Sequence, residues 1–196
     1  MFTPGLHWFP LAVFILLPGT FLLTYAIAVW LQHVEADFPY ISDTGTQPPE
    51  SCIFGQLLNI AAVIAGITVY IRYRQIEYHA HGVHMKRSNK ATLVMGLMSS
   101  LGISMVGNFQ ETEILPLHVT GAMLAFGVST VYCWVQTVMS YSACPRLGSR
   151  TLCHIRVTIC VVASLAFVNN RVAFYRAASL SAVNTFVSLL YVTFAS

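Results

Sequence analysis

Charge is what this chain has least of. Asp, Glu, Lys and Arg make up 9% of its 196 residues, against about a quarter in an ordinary soluble domain. Apolar residues supply 56% and the mean hydropathy is +0.68, which excludes a water-soluble globule and places the chain in a bilayer. No long polar insert breaks the apolar runs, so no separate soluble domain is expected, and there is no internal repeat or low-complexity tract. A net charge of +3 would suit nucleic acid if the cations formed one basic face. They flank apolar runs instead, which excludes nucleic acid as a partner and points to anionic headgroups.

Catalytic signatures are missing as well. There is no phosphate-cradling Gly-rich loop, no nucleophile elbow and no His-Glu-x-x-His pair. Asp43-Thr44-Gly45 matches the aspartic protease triplet, but that chemistry needs two carboxylates sharing a proton, and the only other Asp, Asp37, lacks the triplet. Of five cysteines only Cys52 falls on the expected luminal side, so no intrachain luminal disulfide is expected. Cys133 and Cys160 read as packing residues, and Cys144, just past an apolar run, as a candidate for reversible palmitoylation. His79, His81 and His84 are dense enough to share a zinc ion but lack a fourth ligand, so a solvated loop is expected. The expectation is a protein that is not an enzyme, with no catalytic residue, no cofactor and no metal.

The apolar residues fall in runs of spanning length. Residues 8–31, 52–71, 91–107, 118–141 and 152–168 each suit a membrane-crossing helix, and 177–195 is a candidate sixth, at about 1.5 Å per residue across roughly 30 Å of hydrocarbon. The first run imitates a signal peptide at Ala26-Ile27-Ala28, but it is too long and no basic residue precedes it, so it reads as a retained span. The fold class is therefore all-α: a polytopic transmembrane helical bundle with five or six spans.

The few charges are sorted by loop. All eight Lys and Arg before residue 160 lie in 72–90 and 143–156, whereas six of the seven acids lie in 32–51 and 108–117. The positive-inside rule then sets the amino terminus and the two basic segments in the cytosol and the two acidic segments in the lumen. Asn169-Asn170-Arg171 and Arg176 would break that rule if both final runs crossed. Arg72, Arg74, Lys86, Arg87 and Lys90 are the candidate contacts to anionic lipid. Tyr73-Arg74-Gln75-Ile76 has an endosomal sorting pattern but reads equally well as a helix end beside the bilayer.

Polar residues inside the runs suggest how the helices meet. Gly96, Ser100 and Ser104, and Gly121 with Ala125, recur every four residues, a stripe that lets helices approach closely. Gln56 and Asn59 share a face and are expected to bond across to another helix. In the lumen, three prolines, Gly45, Tyr40 and Ile41 predict an ordered cap over residues 39–50, seated on the second and fourth spans. His118 begins the fourth span at the same boundary, where a carboxylate such as Asp43 or Glu50 would favour its charged form at acidic pH.

The run Pro39-Tyr40-Ile41-Ser42-Asp43-Thr44-Gly45-Thr46, with Pro48-Pro49-Glu50 and Phe54-Gly55, resembles the signature of the DRAM family of damage-regulated autophagy modulators. The likeness continues through Asn59, Tyr70, Arg72-Tyr73, Gly107-Asn108-Phe109-Gln110, His118, Gly121, Gln136 and Ser140-Tyr141. Cys144-Pro145 and Cys153-His154-Ile155-Arg156 look closest to its founding branch. The resemblance implies a six-span protein of lysosomal and other endomembranes that promotes autophagy through the autophagy machinery, in some settings coupled to stress-induced cell death. Similarity to proteins of GPI-anchor lipid remodelling leaves a lipid-handling role as the alternative, with Asp43, Glu50 and His118 as its luminal titratable groups. The candidate luminal motif comprises Tyr40, Ser42, Asp43, Gly45, Glu50, Asn108, Gln110 and His118. The likeness covers about residues 8–165; residues 169–196 form a divergent segment in place of the family's polar loop and last span, which suggests an alternative or truncated terminus.

Overall fold

The computed structural model describes residues 5–36, 41–79, 82–144 and 149–173, with side chains as far as 168. Among these residues there are helices and no strand: α1 (Trp8–Trp30), α2 (Glu50–His79), α3 (Val83–Asn108), α4 (Leu115–Ala122), α5 (Ser129–Ser142) and α6 (Arg150–Ala173). A 3-10 turn occupies Asp43–Gly45, and a π-helical segment, Met123–Val128, joins α4 to α5 without a break. Five stretches are long and apolar enough to cross a membrane: α1, α2, α3, the continuous Leu115–Ser142 and Arg150–Val168. The candidate span at 177–195 lies outside the described residues.

Local chemistry sets the ends. Pro48 and Pro49 stop anything helical before α2, whose first turn carries Glu50, an acid at the positive end of the helix dipole. Gly82, at φ 95°, makes the break between α2 and α3 in a conformation that side chains avoid. Pro116 opens α4, where its missing N–H costs nothing. The basic segment 72–90 is not the loop that its charge suggested. Arg72 and Arg74 ride on the end of α2, and Lys86, Arg87 and Lys90 on the start of α3. Helix continued through the headgroup layer keeps its backbone bonds satisfied, and Arg, Lys and Gln are good helix formers.

In sequence order each helix packs on its neighbour, with α2 and α3 central: α1 lies on α2, α2 on α3, α3 on the α4–α5 helix, and α6 on α5. The core joins Val13 and Leu17 to Phe54, Leu58, Ala61, Ala65, Val69, Ile103 and Ala125, while Ile15, Val63, Val94, Val131 and Leu165 face outward. Lipid tails are as apolar as leucine, so association rests on closeness and hydrogen bonds more than on water exclusion. Small residues do this, including Gly121 and Ala125 of one expected stripe and Gly55, Gly102 and Gly107 outside either stripe. A Cβ on Gly55 would sit 2.6 Å from Gly107 O, and one on Gly102 2.5 Å from Ala125 N and 2.6 Å from Gly121 O. Ser99 Oγ donates to Ala125 O in the π segment, a carbonyl that the altered helical register offers sideways.

Candidate functional site

Two polar assemblies stand out, one at each end of the bundle. The one at the Glu50 end of α2 begins with the way α1 stops. Gln32 takes φ 60°, with Gln32 N donating to Val29 O and His33 N to Ala28 O, the paired bonds of a Schellman cap. The chain reverses there, and His33 Nδ1 meets Glu50 Oε1 at 2.5 Å across the start of α2. Glu50 is 0% exposed, and its Oε2 has no hydrogen-bond partner. His33 carried no distinguishing sequence signal; only the cap geometry brings it to the acid. A left-handed glutamine costs about 1 kcal/mol relative to glycine. Gln32→Gly is therefore expected to raise the thermal unfolding midpoint of the detergent-purified protein, whereas a fall would show that the Gln32 side chain contributes contacts of its own.

Beside this pair the Asp43-Thr44-Gly45 triplet forms the 3-10 turn and has a structural use. Thr44 Oγ1 donates to Ile41 O at 2.7 Å and lies 3.2 Å from Thr24 Oγ1 on α1. Thr46 Oγ1 donates to Asp43 O, and Gly45 N to Ser42 O. Gly45 is buried with the Phe54 ring 2.8 Å from where its Cβ would stand, so the turn sits on that ring. The cap is described over residues 41–50, and it seats on α2, the second span, as expected, but on α1 in place of the fourth span. The contact of Thr44 with Thr24 of α1 and the fit of Gly45 against Phe54 of α2 hold the turn over the α1–α2 seam. Tyr40 lies outside the described residues.

The other luminal candidates separate. His118 is 9% exposed, and its Nδ1 donates to Phe109 O at 2.7 Å, closing the α3–α4 connection. Glu50 has His33 in place of the His118 contact that the boundary position suggested. Asn59 does bond across helices: its amide and that of Asn108 exchange hydrogen bonds at 3.0 and 2.9 Å, and Ser104 Oγ donates to Asn59 Oδ1 at 2.6 Å. Gln56 is exposed. Gln110 supplies its backbone carbonyl to the turn at Glu113 and Ile114. An apolar groove bounded by Leu17, Phe21, Leu58, Ile103, Val106 and Phe126 contains none of Asp43, Glu50 and His118. Among the described residues no cluster of His, Cys, Asp and Glu is arranged to hold a metal. His81 lies outside them, and His79 Nδ1 bonds Gln75 O.

At the other end Arg72 departs from its expected place among the headgroups. It is 2% exposed and turned into the bundle, donating from Nε to Gln136 Oε1 (3.3 Å), from Nη1 to Gln75 Oε1 (3.2 Å) and from Nη2 to Ser140 Oγ (3.2 Å). Arg156, 0% exposed, donates from Nη1 to the same Ser140 Oγ at 2.6 Å. Gln136 Nε2 donates to Thr92 Oγ1, Thr92 Oγ1 to Asn89 O, and Asn89 Nδ2 to Tyr73 O. This buried polar layer ties α2, α3, α5 and α6 together. Nothing in hydropathy separates Arg72 from its neighbour Arg74, which is exposed and pairs with Glu77; the side of the helix decides. Lys86, Arg87 and Lys90 are also exposed.

The sequence model described as Frag1/DRAM/Sfk1/Cwh43P N-terminal domain matches residues 5–195, running past residue 168. DNA damage-regulated autophagy modulator protein 2 of Bos taurus is 43% identical over 161 residues, 82% of this chain and 60% of that protein. Protein 1 of Homo sapiens is 37% identical over 169 residues, 85% of this chain and 71% of that protein. Modulator of macroautophagy TMEM150B-B of Xenopus laevis is 37% identical over 162 residues, 81% of this chain and 68% of that protein. The chain thus spans about 60% of the length of the protein 2 relatives. Identity is higher to protein 2 than to protein 1. No solved structure matches the chain.

Proposed function

The chain belongs to the Frag1/DRAM/Sfk1/Cwh43P family, and from that membership we propose that it is a non-enzymatic modulator of autophagy, resident in endomembranes and chiefly in the lysosomal membrane, with a link to stress-induced cell death. The observation that carries this reading is its likeness over 82% of its length to relatives named as autophagy modulators. The cap at residues 41–50 faces the lumen as a rigid structural or sensing element, and the opposite end faces the cytosol. There Arg74, Lys86, Arg87 and Lys90 lie against the anionic leaflet, each worth roughly 1 kcal/mol of salt-screened attraction, and the same surface meets the autophagy machinery. The luminal candidates Ser42, Asp43, Gly45, Glu50, Asn108, Gln110 and His118 serve as an architectural motif.

The test is autophagic flux, measured as lysosomal turnover of a cytosolic cargo reporter in cells that lack the chain and in the same cells re-expressing it with a tag. Flux is expected to rise on re-expression, with the tag on lysosomal membranes. Equal flux in both lines would sink the proposal. A cysteine placed at Thr46 and labelled by an impermeant reagent from the cytosolic side of intact vesicles would overturn the orientation.

A further inference from the structure

Helices α5 and α6 run antiparallel in one register, fixed by four side-chain contacts. Trp134 Nε1 donates to Ser164 Oγ at 3.0 Å, and Thr137 Oγ1 lies 3.4 Å from Cys160 Sγ. Arg156 Nη1 donates to Ser140 Oγ at 2.6 Å, and Tyr141 OH lies 2.9 Å from His154 Nδ1. Each step along α5 toward its end at Ser142 is matched by a step along α6 toward its start at Arg150. The next contact in that series brings Cys144, just past the end of α5, against Cys153 in the first turn of α6, and the two side chains share a hydrogen bond. Both are thiols.

We propose that Cys144 and Cys153 form a site of reversible oxidation, at which hydrogen peroxide converts the two thiols to a disulfide joining the end of α5 to the first turn of α6. Exposure assigns the roles. Cys144 is half-buried and Cys153 buried, so peroxide meets Cys144 first. The Cys144 thiolate attacks one peroxide oxygen: an S–O bond forms, the O–O bond breaks, and the departing hydroxide takes up the thiol's proton as water. The Cys153 sulfur, already in contact, then displaces the sulfenic oxygen. The S–S bond forms, the S–O bond breaks, and that hydroxyl leaves with the Cys153 proton as a second water. Two thiols lose two electrons and the peroxide gains them. The other cysteines lack this arrangement. Cys52 is exposed at the opposite end of the bundle, at the start of α2, and Cys133 and Cys160 are buried within the spans, where a structural thiol is inert. A metal is not the better occupant, since among the described residues no third His, Cys, Asp or Glu joins the pair in a metal-holding group. Thiols facing the cytosol are held reduced, and a disulfide there forms transiently, as in sensors of oxidant.

The inference takes from the proposed function only the cytosolic side, and its test has neither sidedness nor an autophagy readout, so either can fail alone. The full chain in detergent is reduced, freed of reductant, exposed to excess hydrogen peroxide, capped with iodoacetamide and digested with trypsin, which cuts after Arg146, Arg150 and Arg156. Mass spectrometry of the wild type is expected to find the peptide ending at Arg146 joined to Thr151-Leu152-Cys153-His154-Ile155-Arg156, and dithiothreitol to separate them. Cys133→Ser is expected to keep the link. Cys153→Ser is expected to lose it and to leave a Cys144 sulfenic acid that dimedone captures, whereas Cys144→Ser loses it with Cys153 still a thiol. A second measurement needs no variant: oxidation is expected to raise the wild-type thermal unfolding midpoint by roughly 5 °C, reversibly, by closing a short loop without distortion. Absence of the link in the wild type overturns the site, as does a link from Cys144 to Cys52 in its place. Dimedone capture at Cys153 in the Cys144→Ser protein overturns the assignment of roles. A midpoint that falls on oxidation would show that the thiols meet only when α5 and α6 are distorted, and overturns the pairing.

Discussion

Gly102→Val is expected to abolish the folded bundle, and Gly102→Ala to leave it severely weakened. The obstacle at this position is main chain: Ala125 N at 2.5 Å and Gly121 O at 2.6 Å from the first added carbon. Rotamer changes cannot relieve it, and the partner helix must move away. That separation also breaks the bond from Ser99 Oγ to Ala125 O and the packing of Gly121 on Met105. Overpacking against side chains costs about 1–3 kcal/mol; against backbone the alanine variant is expected at or above the top of that range. The measurement is the monodisperse fraction and unfolding midpoint in detergent, with Gly19→Ala as control, since nothing lies within 4 Å of its added carbon. A Gly102→Val protein as stable as that control would refute the close approach of α3 to the fourth span.

Gln136→Leu is expected to have the second largest effect. Gln136 is 1% exposed and works in both directions, accepting from Arg72 Nε and donating to Thr92 Oγ1. Leucine of similar size leaves a buried guanidinium N–H with no acceptor, and the loss of a charged group's buried partner costs about 3 kcal/mol or more. Gln136→Glu keeps an acceptor for Arg72 Nε and adds a carboxylate charge beside it, so it is expected to retain most of the wild-type midpoint. Equal stability of the Leu and wild-type proteins would mean that Arg72 does not depend on this contact. A Glu variant as weak as the Leu variant would mean that the donation to Thr92 is the essential half.

Much of this architecture is legible from composition, because a bilayer leaves a chain few options: apolar runs of about 20 residues must be helices, and the few charges must collect in the connections. Five of the expected spans correspond to helices, and the stripe of Gly121 and Ala125 lies where α3 meets the fourth span, whereas the main-chain approach of α2 to α3 is at Gly55 and Gly107, outside either expected stripe. The candidate sites were less legible. Asp43-Thr44-Gly45 matched a protease triplet whose chemistry a single copy could not support, and nothing local in it showed that it is a turn whose threonine reaches Thr24 and whose glycine admits Phe54. His33 was not singled out at all, because its approach to Glu50 depends on one residue taking φ 60° at the end of α1.

By itself the sequence determined that this protein is a polytopic helical bundle, which ends of its helices carry positive charge, and which family it resembles; hydropathy, loop charge and a contiguous luminal motif are all local quantities along the chain. Only the tertiary structure decided which charges are paid out to the surface and which are drawn inside. Arg72 and Arg74 are two residues apart with the same local composition, yet one is buried against Gln136 and Ser140 and the other lies in the open beside Glu77. Two residues on an α-helix are about 200° apart around its axis, so the direction each side chain takes is set by where the neighbouring helices stand, and that depends on contacts between residues far apart in sequence.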